Sequence, residues 1–251
     1  MQLFSNQSII ITGAASGIGK ATALFFAEKG ANVVVSDIHV ENGNKVVATI
    51  EAMGGNAIFV KTNVADNSEV EALIQECVHH FGGLGMMINN AGIGGDLKFF
   101  EQITDKDWNQ IIAINQTGVF YCMRAALKVM KAQRKGVIIN TSSVAGLGSA
   151  ARMGAYAASK HAVIGMTKTA AVEYAKYGIR VNAICPTVIK TPMGDSYASS
   201  DPKITEMIKH TIPMKRFGEA EEVAKTIGWL CSEDASFITG HAIRIDGGMM
   251  A

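Results

Sequence analysis

The sequence lacks any apolar run long enough to cross a membrane, since its longest apolar runs have the length of strands. It also lacks a surplus of charge, because 23 Lys and Arg against 22 Asp and Glu give a formal net charge of +1. We therefore expect no basic surface for nucleic acid or an anionic membrane. The N-terminus has neither the basic segment nor the apolar core of a signal peptide. A cytoplasmic protein is expected, with neither nucleic acid nor membrane as a partner.

Cysteine is scarce and widely spaced. The four cysteines, Cys77, Cys122, Cys185 and Cys231, form no Cys-x-x-Cys pair and have no histidine nearby at the spacing of metal ligands. We interpret them as reduced thiols of the core. No metal site is expected.

What the chain does contain is a repeated strand-then-helix pattern. The strand-like runs are Ile9–Ile11, Asn32–Ser36, Ala57–Val60, Met86–Asn89, Val137–Thr141, Arg180–Ile184 and Ala242–Ile245. Helical periodicity is found at 18–29, 42–53, 68–81, 105–130, from Tyr156 to about 177, and at 219–231. This alternation predicts one α/β domain over residues 1–251, a Rossmann-type doubly wound parallel sheet of seven strands with helices on both faces.

A glycine-rich turn follows the first strand, where Gly13, Gly17 and Gly19 lead into a helix. Glycine allows the backbone to approach a pyrophosphate closely, and the helix N-terminus offers unpaired N–H groups to an anion. Asp37 ends the second strand, at the distance where an acidic residue binds the ribose hydroxyls of an adenine dinucleotide. The combination predicts a dinucleotide site.

The spacing Thr12-Gly13-x-x-x-Gly17-x-Gly19 resembles the signature of the short-chain dehydrogenase/reductase family, and so does Asn89-Asn90-Ala91-Gly92 after the fourth strand. Asp37 favours NAD(H) as cofactor, because its carboxylate would repel a 2′-phosphate and Ala14, Ala15 and Ile38 supply no Arg or Lys to bind one. The cofactor residues that the resemblance implies are Gly13, Ser16, Gly17, Ile18, Gly19, Asp37, Ile38, Asn63, Val64, Asn90, Ala91, Gly92, Tyr156, Lys160, Pro186, Ile189 and Thr191.

Tyr156 and Lys160 are four residues apart and share one helix face. A nearby ammonium stabilises tyrosinate and lowers a phenol pKa toward working pH, as a general acid/base requires. Together with Ser143, thirteen residues upstream, they resemble the catalytic site of the same family. Asn115, a polar residue in an apolar helical stretch, completes the implied tetrad. Ser142 is the alternative candidate for the catalytic serine, and Ser143 is preferred for its spacing to Tyr156.

By this resemblance Ser143 donates a hydrogen bond to the substrate carbonyl, Tyr156 transfers the alcohol proton, and Lys160 binds the nicotinamide ribose. Ser143, Ala145, Met153 and Tyr156 are the predicted substrate residues. Further candidate walls are small or apolar, namely Gly94, Gly95, Leu147, Val188 and Met193. They favour an uncharged, mostly hydrophobic ketone.

Two positions depart from the family pattern. Asn63 stands where the family usually has Asp, and its amide oxygen can still accept a hydrogen bond from adenine. Thr187 stands where glycine is usual, which raises the question whether Thr187 must adopt a strained positive φ.

All four prolines lie between Pro186 and Pro213. Their segment, about 187–216, is rich in Ser, Thr and Asp and is expected to be poor in regular structure. We interpret it as a lid over the substrate, with an irregular insertion as the alternative.

The prediction is an NAD(H)-dependent oxidoreductase that interconverts secondary alcohols and ketones. The alternatives are a 3-oxoacyl-carrier-protein reductase, which normally needs a 2′-phosphate site, and a non-catalytic dinucleotide sensor. The family resemblance also implies a homotetramer. Small residues on the Tyr156 helix, Ala155, Ala158, Ala162 and Gly165, allow close packing on another helix or on the chain's own sheet.

Overall fold

A single seven-stranded parallel sheet forms the centre of the protein, in a computed structural model that describes residues 3–197 and 202–251. The strands are β1 Ser8–Thr12, β2 Asn32–Asp37, β3 Asn56–Lys61, β4 Met86–Asn89, β5 Gly136–Thr141, β6 Ile179–Pro186 and β7 Ala242–Ile245. Their order is β3-β2-β1-β4-β5-β6-β7. Strands β2 and β3 extend the sheet to one side of β1, and β4 to β7 extend it to the other side. The predicted fold is confirmed.

Helices connect successive strands. They are α1 Gly17–Glu28, α2 Val40–Ala52, α3 Asn67–Phe81, α4 Asp105–Ile112, α5 Gly118–Gln133, α6 Gly154–Tyr174, α7 Pro192–Tyr197, α8 Pro202–Thr211 and α9 Ala220–Cys231. No helix in the described ranges is long and apolar enough to cross a membrane.

Alternating side chains of the central strands fill two hydrophobic layers. In β1, Ile9 and Ile11 pack toward α1 and α9, whereas Ile10 packs toward α3 and α5, and all three are fully buried. A strand that is apolar on both faces needs cover on both, which explains why its sequence is a continuous run of isoleucine. All four cysteines are free and buried in these layers or beside them.

Three sequence-based expectations about elements need correction. The helix expected at 105–130 is divided by a π-helical turn, Ala113–Thr117, that contains Asn115. The segment 187–216 is not poor in regular structure, since it carries α7 and α8; its residues 198–201 lie outside the described ranges. Beyond Tyr174, α6 tightens into a 3₁₀ turn that ends at Gly178, whose φ is 72°.

Thr187 does not need a strained backbone. The non-glycine residues with positive φ in the described chain are Asn6, Arg134, Arg152 and Lys215. The Thr187 N–H donates to the Ile245 carbonyl at 3.2 Å, and its hydroxyl contacts Met249 Sδ at 3.0 Å. The loop after β6 therefore accommodates threonine where the family pattern has glycine.

Candidate active site

A cleft of about 720 Å³ lies at the carboxyl ends of the central strands. This is where a doubly wound sheet is expected to bind its ligand, at the point where strand order reverses. The predicted residues that line it are Gly13, Ser16, Gly17, Ile18, Asp37, Ile38, Asn63, Val64, Asn90, Ala91, Gly92, Ser143, Ala145, Met153, Tyr156, Lys160, Pro186, Ile189 and Thr191. Gly19 and Asn115 are buried and lie outside its lining.

The glycine turn after β1 has no space for larger residues. Gly13 and Gly17 have φ of 65° and 51°, and a Cβ on Gly19 would lie 2.2 Å from the Gly13 carbonyl oxygen. The N-cap of α1, Ser16, makes no side-chain capping bond, and no acidic residue occupies the first turn. These features fit a pyrophosphate, since a close-approaching backbone and an open helix N-terminus both favour an anion.

The end of β4 is fixed to this turn by hydrogen bonds. Thr12 Oγ1 accepts from the N–H groups of Asn90 and Ala91 at 3.0 and 3.1 Å, and Asn90 Nδ2 donates to the Thr12 carbonyl at 3.0 Å. The Asn-Asn-Ala-Gly element thus braces the cleft floor. Its other asparagine, Asn89, donates to Asn140 Oδ1 at 2.7 Å inside the sheet.

Asp37 presents its carboxylate at the far end of the cleft. Its two oxygens accept from the N–H groups of Ala15 and His39, each at 3.0 Å, and the residue is only 8% exposed. Each oxygen keeps acceptor capacity for a ribose hydroxyl. Among the described residues that line the cleft, Lys160 is the only Lys or Arg, so no such cation offsets Asp37 at this end.

Asn63 lies at the rim beside Val64. Its Oδ1 accepts from the Ala65 N–H at 3.1 Å, and its own N–H donates to the Glu69 carboxylate at 2.7 Å. One lone pair of the amide oxygen is therefore engaged in a local turn. The other remains available to an adenine amino group.

Lys160 is the buried cation of the site. Its Nζ donates to the Thr141 carbonyl at 2.8 Å, and the residue is 3% exposed. Burial lowers the pKa of its ammonium to about 8, since charge is poorly solvated there. The same Nζ lies 5.5 Å from the centre of the Tyr156 ring, one helical turn away on α6.

The two serines after β5 have different surroundings. Ser142 Oγ donates to the Lys160 carbonyl at 2.9 Å and so ties β5 to α6. Ser143 Oγ accepts from the Ala145 N–H at 3.1 Å and reaches the Pro186 carbonyl only at 3.5 Å. Because its donor bond is long, the Ser143 hydroxyl can turn to a substrate carbonyl more readily, which supports Ser143 over Ser142.

Asn115 is held by the backbone of Ile93. Its Oδ1 accepts from the Ile93 N–H and its Nδ2 donates to the Ile93 carbonyl, both at 2.8 Å. Gly92 lies between Asn115 and Lys160: a Cβ there would be 3.2 Å from Asn115 Oδ1 and 3.6 Å from Lys160 Nζ. Asn115 is thus fully buried behind the cleft wall, close to the lysine.

The predicted nicotinamide segment follows β6. Thr191 Oγ1 donates to the Ile189 carbonyl at 3.2 Å and accepts from the Gly194 N–H at 3.0 Å, which joins the loop to α7. Ile189 also pairs with Gly218 in an isolated bridge. These contacts position Pro186, Ile189 and Thr191 along one side of the cleft.

Several lining residues were missed by sequence reasoning. His39, Thr62 and Leu97 adjoin recognised motifs, so adjacency was a usable signal. Ile208 on α8 and Met249 in the C-terminal tail come from distant segments, and no local sequence pattern predicts that they line the cleft. Of the candidate substrate walls, Val188 and Met193 line the cleft and Gly94 and Gly95 line a neighbouring cavity, whereas Leu147 lines neither.

Metal-ligand side chains are not gathered at this site. Within residues 3–197 and 202–251, no group of three or more His, Cys, Asp or Glu side chains has the arrangement of a metal site.

Known proteins are similar to this chain over nearly its whole length. Residues 13–250 match a family model described as enoyl-(acyl carrier protein) reductase. The chain is 43% identical to the cyclohexanol dehydrogenase of an Acinetobacter species, over 97% of this chain and 95% of the relative. It is 42% identical to a 3-oxoacyl-acyl-carrier-protein reductase of Thermotoga maritima, over 96% of both chains.

The fold is shared with solved structures. The crystal structure of an NAD⁺-bound xylitol dehydrogenase superposes with a TM-score of 0.92 at 33% identity, covering 98% of this chain and 99% of the other. The similarity to these proteins extends over nearly the whole chain.

Proposed function

The chain belongs to the short-chain dehydrogenase/reductase family, whose members are oxidoreductases acting on CH–OH groups, and from this premise we propose that it is an NAD(H)-dependent dehydrogenase of cyclic secondary alcohols and their ketones. The observation that carries the proposal is the convergence of Ser143, Tyr156 and Lys160 on one cleft with Asp37 at its far end. A family relative named for cyclohexanol and a largely apolar substrate region favour this class.

In this proposal each residue of the active site has a separate role in the reaction. A bound nicotinamide would supply or accept the hydride. Ser143 donates a hydrogen bond to the carbonyl oxygen, and Tyr156 gives or takes the alcohol proton. Lys160 holds the ribose and keeps positive charge near the phenol, which favours tyrosinate. Asn115 positions the Ile93 backbone and lies beside Lys160.

The substrate side of the cleft is built from adaptable apolar side chains. Met153, Met193 and Met249 line it together with Val188 and Ile208. Methionine is unbranched and fills irregular spaces, which suits a rigid alicyclic ring. The absence of a Lys or Arg from this part of the described lining disfavours a phosphate-bearing acyl carrier.

We further propose that the enzyme is a cytoplasmic homotetramer. The buried free thiols suit a reducing compartment. The family resemblance supports the tetramer.

The test is a substrate panel assayed by NADH oxidation: cyclohexanone, acyclic ketones, ketoses and a 3-oxoacyl thioester. We expect the highest kcat/KM for the cyclic ketone. Activity confined to the thioester would establish the carrier-protein reductase instead. NADH binding without turnover of any ketone, sugar or thioester would favour the non-catalytic sensor.

A further inference from the structure

A second cavity, of about 230 Å³, lies next to the main cleft. Ile93, Met153 and Tyr156 line both spaces, so they form the wall between them. The rest of its lining comes from the 94–98 loop, Ile103, α4, Arg152 and the start of α6. Tyr156, the proposed general acid/base, thus borders a second space to which the proposed reaction assigns no role.

The small cavity is polar where the main cleft is apolar. Lys98 Nζ lies 2.7 Å from Asp107 and 3.6 Å from Asp96, and Gln110 and Arg152 complete its polar lining. The hydrogen bond from Lys98 lowers the pKa of the Asp107 carboxyl to about 2, so both members of this pair are charged at neutral pH. The two cations, Lys98 and Arg152, balance the two carboxylates, Asp96 and Asp107, so the cavity lining has no net charge. This disfavours a charged ligand. Donors and acceptors together suit a neutral hydroxyl or carbonyl group.

The part of the cavity lining formed by Arg152 is fixed in place. Arg152 adopts φ 65°, a left-handed backbone conformation that is strained for a residue other than glycine. Its conformation is held because its carbonyl accepts from the Lys98 N–H at 2.9 Å and its guanidinium donates to the Leu97 carbonyl at 3.3 Å. The guanidinium also lies 5.2 Å from the centre of the Phe99 ring. Segment 150–153 is thereby clamped to the 97–99 loop.

Met153 is the adjustable part of this wall. It follows the clamped Arg152 directly, and as the N-cap of α6 it makes no side-chain capping bond. An unbranched side chain with three rotatable bonds adapts its shape more readily than branched Ile93 or aromatic Tyr156. At about 230 Å³ the cavity has room for a substituent of the ring.

We propose that the small cavity is a second compartment of the substrate site, which takes a neutral oxygen-bearing substituent of the ring, with Met153 as the specificity-determining residue between the compartments. The inference rests on the proposed function and adds a substrate class to it. The ketone lies in the apolar cleft against Tyr156, and a hydroxyl or second carbonyl elsewhere on the ring reaches the polar side chains around Gln110.

The test compares cyclohexanone with 4-hydroxycyclohexanone. We expect about a tenfold higher kcat/KM for the hydroxyketone, because a partly enclosed polar compartment rewards a matching hydrogen-bonding group. Gln110→Leu keeps the side-chain size, removes the amide, and should lower this ratio about fivefold. Gln75→Leu, an exposed glutamine on α3, is the matched control and should leave the ratio unchanged. Met153→Phe should close the passage and abolish the preference.

Binding separates this inference from the proposed function. Tyr156→Phe loaded with NADH allows the dissociation constant of each ketone to be measured by calorimetry without turnover. Tighter binding of the hydroxyketone, lost in the Gln110→Leu double variant, supports the compartment even if wild-type enzyme reduces neither ketone. Equal binding of the two ketones overturns it, even if both are reduced.

Discussion

Tyr156 is the residue whose loss should separate chemistry from binding. Tyr156→Phe removes only the hydroxyl, so cofactor affinity should remain within about twofold while kcat/KM falls roughly 10²- to 10⁴-fold. Tyr174→Phe, at the other end of α6, is the matched control and should retain full activity. The measurements are NADH fluorescence titration and steady-state kinetics. Wild-type turnover by Tyr156→Phe would remove the tyrosine from the proposed mechanism.

Lys160 should make stability depend on pH in a defined direction. Its ordinary pKa is 10.5, and burial lowers it to about 8. Between these values the unfolded chain binds more protons at this residue than the folded chain, so stability rises with pH. The cost of the buried charge is fully present below pH 8 and disappears as pH rises toward 10.5.

The corresponding measurement is urea unfolding of wild type and Lys160→Met at several pH values, without cofactor. The stability of the variant minus that of wild type should fall by about 2 kcal/mol between pH 7.5 and 9.5. Taking this difference cancels the other titrating groups. A constant difference would mean that the lysine keeps its ordinary pKa in the folded protein.

Asp37 should determine which dinucleotide is used. Its carboxylate is oriented by the Ala15 and His39 N–H groups and can accept from a free ribose hydroxyl, whereas a 2′-phosphate would meet like charge. We expect NADH to be favoured over NADPH by about 30- to 1000-fold in kcat/KM, or roughly 2 to 4 kcal/mol. Asp37→Ser with Ile38→Arg should shrink or reverse this ratio, in kinetics and in binding. A wild-type preference for NADPH would contradict the assignment and favour the carrier-protein reductase.

At the scale of elements, the turn between β1 and α1 depends on its glycines. Gly19→Ala would place a methyl 2.2 Å from the Gly13 carbonyl oxygen and 2.7 Å from Asn90 Nδ2. We expect a loss of about 1 to 3 kcal/mol in the free energy of unfolding and a much weaker affinity for NADH. Lys20→Ala, at the next position and exposed in the first turn of α1, controls for the change to alanine and should affect neither. Unaltered NADH affinity in Gly19→Ala would argue against a cofactor at this turn.

The sequence predicts elements well where one periodicity dominates and poorly where tertiary contacts decide. The buried strands around Ile10 and Ile88 were recognised because apolar runs of this length fit strands. The π-helical turn was not, since it accompanies a tertiary contact, the pairing of Asn115 with Ile93. The lid segment was expected to be irregular on account of its prolines, but Pro192 and Pro202 begin helices, where proline is tolerated.

At the scale of the whole molecule, the same limit applies to the site. The glycine turn, Asp37 and the Asn-Asn-Ala-Gly element could be named from the sequence because each lies at the end of a strand whose place in a doubly wound sheet is known. Tyr156 and Lys160 could be named because residues four apart share one helix face. Met249 and Ile208 reach the cleft from the C-terminal tail and from α8, and the second cavity beside Tyr156 exists only through packing of separate segments. Such features depend on the folded chain as a whole.

Assembly is the remaining question at this scale, and α6 offers a way to test it. Of its small residues, Ala155 is buried within the chain, whereas a Cβ on Gly165 would meet no atom within 4 Å. Val172, seven residues after Gly165 and so on the same face, is 83% exposed. The outward face of α6 therefore has the small and apolar side chains that another copy of the helix could pack against.

If the protein is a homotetramer that uses this face, Val172→Glu should lower its molar mass in solution, because the new carboxylate would be buried without a partner. Met53→Glu places the same charge at another exposed apolar position, 52% exposed at the C-cap of α2, and should leave the assembly intact. Multi-angle light scattering at micromolar concentration measures both. A wild-type monomer would refute the tetramer, and a Val172→Glu tetramer would move its interface away from α6.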